Sequence, residues 1–259
     1  SSYKDPWEYG GDTGLKDQKV TIKKVKGMSE SSIRGMDISS YLALKKAGVK
    51  YYDYEGNETP LLKVLHDNGI NYIRIRIWND PFNADGETYG GGGNDVSTGV
   101  EIAKEAAQYD MKVLLDFHYS DYWADPGQQN KPDAWKNLSF DELKEAVHKY
   151  TYDVLYRLKI MDCAPDMVQI GNEIRSGMLF PDGAVPQYRQ LAALVNEGIR
   201  AVRELLPETK VMIHLDQGGR YNCIMPWFDS MFNAGMLPID AIGLSFYSFW
   251  HGTFMDLKD

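Results

Sequence analysis

Met167-Val168-Gln169-Ile170-Gly171-Asn172-Glu173 is a short, mostly apolar run that ends in two polar residues. Helical periodicity lies on both sides of it, so the run reads as a buried parallel strand. Asn172 and Glu173 then leave the core together at the carboxyl end of that strand, where α/β barrels and open α/β sheets keep their chemistry. Two readings of the pair stand side by side. As N-cap and first-turn residues they would simply start the next segment. As a site, a half-buried Glu173 would serve as the acid/base of a glycosidase, with the Asn172 carboxamide reaching a sugar hydroxyl.

The same unit recurs outward in both directions. Towards the N-terminus, Ser139-Phe140-Asp141-Glu142 forms a capping box opening a helix with apolar residues at 143, 146, 147, 150, 154 and 158. Before it come a strand over 112–119 (KVLLDFHY), a helix over 95–110, and a strand over 72–78 (YIRIRIW). A helix from Thr59-Pro60 to Gly69 and a first strand over 33–39 complete that side. Towards the C-terminus, a helix over 186–206 stops at Pro207, followed by a strand over 210–217, a helix over 221–236 and a strand over 241–247. Six strands alternating with helices predict a parallel sheet. The strand ends carry Asp37; Trp78 and Asn79; Asp116, His118 and Tyr119; Glu173; His214, Asp216 and Gln217; and Tyr247. Six polar or aromatic ends in register predict one face bearing a site. A doubly wound fold would show an early glycine-rich phosphate turn, and glycines 90–93 are not followed by Lys-Ser/Thr. The expected fold is therefore an α/β barrel of the (β/α)8 type, with about six units present. In the second strand, Arg74, Arg76 and Trp78 fall on the side opposite three isoleucines, and arginines inside a barrel demand carboxylate partners.

Residues 1–30 differ in composition and read as a linker or the tail of an upstream module, with one weak strand signal at Val20, Ile22 and Val25. Residues 31–259 read as the barrel, incomplete at its C-terminal end. The chain has 259 residues and a formal charge of −9, without a basic cluster, which argues against nucleic-acid binding and for a neutral ligand. Its aromatic fraction of 12% could furnish either sugar-stacking platforms or core. The two cysteines, Cys163 and Cys223, form no CxxC pair, leaving free thiols or a mutual disulfide as alternatives. No signal peptide opens the chain and no apolar run is long enough for a membrane span.

FHYSDYWADP (117–126), QIGNE (169–173), RIRIWNDP (74–81) and FWHGT (249–253) resemble the endo-β-1,4-galactanases of glycoside hydrolase family 53, from about Arg34 to the last residue. The resemblance implies a clan A (β/α)8 TIM barrel that cleaves β-1,4-galactan, the side chain of type I arabinogalactan and pectin, with retention of configuration. It implies Glu173 as acid/base with Asn172 beside it, and Arg76 and Tyr247 as supports of the nucleophile. Asp37, Asn79, His118, Asp121, His214 and His251 become candidate substrate-binding residues, and Trp78, Trp123 and Trp250 candidate sugar contacts. The nucleophile would be a glutamate ending a seventh strand, expected beyond Asp259, because Glu197, Glu204 and Glu208 lie on or just after a helix. No cofactor or metal is implied for these residues; the calcium-binding loop of some members lies further on. Ser248 stands where the family often has proline. The expected protein is a monomeric, extracellular or cell-surface hydrolase acting on a polysaccharide. Another clan A β-1,4-glycanase, or a non-catalytic carbohydrate-binding barrel, is the alternative.

Overall fold

The structure is a computed structural model that describes residues 26–258. The expected strand signal at Val20–25 falls outside the described residues. The chain divides into compact units between Ser32 and Ile33. In the short described part of the first, a turn is closed by the Ser29 N–H donating to Ser32 Oγ at 3.0 Å.

The second unit is built on six strands: β1 (Gly35–Asp37), β2 (Tyr72–Ile77), β3 (Lys112–Phe117), β4 (Met167–Ile170), β5 (Lys210–Leu215) and β6 (Ala241–Leu244). They lie side by side in chain order and every pairing is parallel, as a βα repeat requires. The two sides of the sheet differ sharply in chemistry. One side carries Ile73, Ile75 and Ile77, then Val113, Leu115 and Phe117, then Val168 and Ile170, then Val211, Ile213 and Leu215, all buried beneath helices. The other carries Arg74 and Arg76, Asp116, Gln169 and His214, which is the interior of the barrel.

The covering helices form where the periodicity predicts them. α2 (Leu61–Asp67), α3 (Val96–Ala107), α4 (Phe140–Ile160), α5 (Tyr188–Leu205) and α6 (Tyr221–Asn233) each bury an apolar stripe. α3 starts where the Asp95 side chain accepts the Thr98 N–H, and α4 where Ser139 and Glu142 satisfy each other's backbone in the predicted capping box. Two features depart from the sequence reading. α1 (Tyr41–Lys46) is a six-residue helix that carries no periodic signal, and Tyr41 anchors it by donating to Glu105 of α3 at 2.7 Å. After β4, Gly177–Met178 pairs with Gly183–Ala184 as a small antiparallel hairpin. Both cysteines are free, Cys163 buried and Cys223 exposed. No helix among the described residues is long and apolar enough to cross a membrane.

β1 and β6 are the edges of this sheet, each paired on one side among the described strands. Ile242 (51% exposed) and Leu244 (38%) lie on the side that in β5 is covered by helices, and Met36 is exposed on β1. An open edge with uncovered apolar residues invites pairing between chains. The polypeptide Ser1–Asp259 made by itself is therefore expected to aggregate, and Ile242→Lys with Leu244→Lys to raise its soluble fraction in size-exclusion chromatography. A monodisperse monomer from the unchanged sequence would contradict this account of the edges.

Candidate active site

The carboxyl ends of β2 to β6 converge on one polar network, and its centre is Asp116. This carboxylate is fully buried at the end of β3 and receives Arg74 Nη2 at 2.8 Å, Gln169 Nε2 at 2.7 Å and a bond from His118 Nε2 at 3.1 Å. Burial by itself would raise its pKa, but Arg74 and then His118 outweigh that and hold it below the ordinary carboxylate range. Arg74 also donates to Asp37 at 2.9 Å, to Gln169 Oε1 and to Asn172 Oδ1 at 3.0 Å. Sequence alternation marked Arg74 and Arg76 equally; only Arg74 reaches the Asn172–Glu173 pair, and neither it nor Gln169 was singled out as a site residue. The carboxylate demand of inward arginines is met at Arg74 by Asp37 and Asp116, whereas Arg76 has no carboxylate ion pair among the described residues.

Asn172 is buried and mostly occupied. Its Oδ1 accepts from Arg74 and Gln169, and Nδ2 donates to the Ala124 carbonyl at 2.8 Å. One Nδ2 hydrogen is left for a ligand, so the carboxamide acts first as a strut between β2, β4 and the loop after β3. Glu173 follows in the left-handed region (φ 50°, ψ 47°), which a glutamate enters at a cost of roughly 1 kcal/mol. Tyr119 (φ 51°) and Gln217 (φ 65°) do the same just beyond β3 and β5. The turn at Glu173 is secured by its N–H, which donates to His214 Nδ1 at 3.1 Å. Burial pushes the Glu173 carboxyl pKa up; Asp216 and Asp125 add to this, while a hydrogen bond from Ser245 and the charge of Arg74 oppose it.

The partners of His118 and His214 assign their tautomers. His118 Nδ1 accepts the Ala124 N–H at 3.0 Å and the Trp78 Nε1–H at 3.3 Å, so Nε2 carries the proton shared with Asp116. His214 accepts at Nδ1 and therefore donates from Nε2, to Ser245 Oγ at 3.1 Å. Burial, followed by the nearby Arg74 charge, lowers its pKa to about 4 and keeps the ring neutral.

Arg76 sits above this network, gripped between Trp78 and Trp123 with its guanidinium carbon 4.6 and 4.2 Å from the ring centroids. It donates to the Gly91 carbonyl, and its buried Nε has no partner among the described residues. Burial lowers its pKa. The glycine run explains itself here: Gly91 has φ 75°, and a Cβ would stand 3.2 Å from Trp123 Nε1 and 3.4 Å from Trp78.

Several of the candidate contact residues already have partners within the protein. Trp78 is 0% exposed and packs edge-on to His118 and Trp123, so it cannot offer a face to a sugar. Asp37 is held by Ser39 and Arg74. Asp121, whose pKa burial raises, clamps two loops by accepting the Asp80 and Asp133 N–H groups at 2.9 and 2.8 Å. His251 is buried, with Nδ1 between the Tyr247 N–H and the Ser245 carbonyl. Trp123 (37% exposed), Trp250 (70%) and Tyr247 (59%) remain open to solvent. Asn79 keeps a buried Oδ1 with no partner among the described residues. Among the described residues, no three His, Cys, Asp or Glu side chains converge as a metal site needs.

The sequence profile of glycosyl hydrolase family 53 matches residues 33–259. An endo-β-1,4-galactanase of Bacillus subtilis is 39% identical over 94% of this chain, and an arabinogalactan endo-β-1,4-galactanase of Thermothelomyces thermophilus is 36% identical over 84%. The chain spans 56% and 64% of the length of those two relatives. The Ignisphaera aggregans GH53 catalytic domain superposes with a TM-score of 0.89 at 43% identity, covering 93% of this chain and 66% of that one. The six-stranded βα sheet is thus part of a clan A (β/α)8 barrel, and the chain belongs to glycosyl hydrolase family 53.

Proposed function

We propose that this chain carries the acid/base half of an extracellular endo-β-1,4-galactanase that hydrolyses galactan with retention of configuration. The observation that carries the reading is Glu173 itself. It is a half-buried carboxyl at the end of β4, turned outward by a left-handed backbone and raised in pKa by burial. A carboxyl so placed stays protonated where an exposed one would not, and can give its proton to a leaving glycosidic oxygen. The names of the relatives supply the substrate class. In a double displacement, a second carboxylate about 5 Å away attacks the anomeric carbon, and the deprotonated Glu173 then activates water. The family resemblance implies a nucleophile on the seventh strand of the barrel, and Arg76, whose buried Nε has no partner among the described residues, is the candidate to support it. Trp123 and Trp250 offer apolar faces for sugar rings.

In the full-length protein, Glu173→Gln is expected to cut activity on galactan by about 10²–10⁴-fold. An aryl β-galactoside with a good leaving group should suffer far less in its first step, since it needs little proton donation. Equal loss on both substrates would remove Glu173 from the acid role. The basic limb of the kcat/KM profile should lie above the ordinary glutamate value of 4.5, because burial raises this carboxyl. Reducing-sugar release from galactan, mannan and cellulose identifies the polysaccharide; preference for either of the latter two would displace the galactan reading.

The tryptophans should separate by readout. Trp123→Ala is expected to raise KM for galactan with the thermal midpoint nearly unchanged. Trp78→Ala should cost about 3–5 kcal/mol of stability, seen as a lower urea midpoint. A KM effect at Trp78 with full stability would contradict its assignment to the core.

A further inference from the structure

Ser245 stands two residues beyond the register pair His214↔Gly243, where the inward side of β6 passes through Ala241 and Gly243. These are small residues for a reason. A Cβ on Gly243 would meet Met212 Sδ at 2.6 Å and His214 Cδ2 at 3.1 Å, so glycine lets the imidazole lie across the sixth strand. The ring thereby reaches Ser245. The serine backbone is pinned as well: its N–H donates to the Leu215 carbonyl and its carbonyl accepts the Gly218 N–H, both at 2.9 Å.

Two hydrogen bonds lay out a circuit that a third would close. The Glu173 N–H donates to His214 Nδ1 and His214 Nε2–H donates to Ser245 Oγ, which leaves the Ser245 hydroxyl its own proton to offer to the Glu173 carboxyl. The backbone of Glu173 thus fixes the tautomer of the ring that aims the hydroxyl at its own side chain. We propose that Ser245, aimed by His214, is a positioning residue that holds the Glu173 carboxyl in place and favours the deprotonated form needed to activate water in the second half of the reaction. This rests on the reading of Glu173 as acid/base.

Other groups face the same carboxyl. Arg74 comes from β2, Asp125 from the loop after β3, and Asp216 from the end of β5. Asp116 and His118 act on the neighbouring Arg74 and His214. Arg74 pulls in the direction of Ser245, and the two aspartates pull against it. Of the groups that stabilise the charged form, Ser245 is the one that can be removed without leaving a buried charge unpaired. His214 stays neutral above about pH 4, so the circuit keeps its polarity over the working range.

The test is the pH dependence of kcat/KM on galactan in the full-length protein and in its Ser245→Ala, Ser245→Cys and Ser245→Thr variants, with thermal melts alongside. Losing one hydrogen bond to a carboxylate should move the basic limb upward by about one pH unit in Ser245→Ala. Ser245→Cys, a weak donor of similar shape, should move it part of the way, and Ser245→Thr should restore the parent profile. An unmoved basic limb in Ser245→Ala overturns the proposal; if that variant does not fold, an unmoved limb in Ser245→Cys does so. Glu173→Gln is measured in parallel. Full activity there sinks the acid/base reading itself, whereas a dead Glu173→Gln with an unmoved Ser245→Ala sinks only the role of Ser245.

Discussion

A charge buried inside the barrel dictates most of what surrounds it. Asp116 has no contact with solvent, and an isolated carboxylate in such a place would be protonated or expelled. It remains charged because Arg74, His118 and Gln169 surround it. Each of those partners is in turn committed elsewhere. Arg74 is shared with Asp37 on β1 and Asn172 beyond β4, and His118 is shared with Trp78 and Ala124. One buried charge therefore ties the ends of four strands and the loop after β3 into a single arrangement. Breaking such a network from one side typically costs about 3–5 kcal/mol, a large part of the stability of an ordinary domain. Glu173 inherits its position from that lattice.

The fold was legible because the helix-facing side of every interior strand is continuous Val, Ile, Leu or Phe, and because caps such as Ser139–Glu142 announce their helices locally. The position of Glu173 was legible for the same reason: a strand must end somewhere, and its polar end marks the face. The partners inside the barrel were not. Arg74 and Arg76 occupy equivalent places in the alternation, yet one is clasped by carboxylates and the other by indoles. That difference arises from which loop folds over which rung, and no local pattern records it. The family resemblance made Trp78 a candidate sugar contact, and its place at a strand end agreed. The glycine loop closing over it, with Tyr150 donating to its carbonyl at 3.0 Å, makes it core.

Ser245 shows the opposite failure. In AIGLSFY it is one small residue among apolar ones, with nothing in its neighbours to single it out. Its meaning depends on Gly243, whose missing side chain admits His214, and on the register of β5 against β6. The positioning role proposed for Ser245 is visible only once both strands are in place.

The left-handed residues at the rim bear on how such a protein could be re-engineered. Tyr119, Glu173 and Gln217 each adopt a backbone shape that asparagine or glycine would take up with less strain. At Gln217, whose buried Oε1 has no partner among the described residues, a designer could recover that energy and remove an unsatisfied acceptor in one exchange. At Tyr119 the ring is buried and its hydroxyl bonded to Thr151, so the gain would be lost again as an empty cavity. At Glu173 the backbone's preference and the chemistry are in direct conflict. A consensus-seeking stabilisation that scored positions by backbone comfort alone would rank the proposed proton donor among its first targets, and would return a sturdier barrel without the carboxyl on which the proposed chemistry turns.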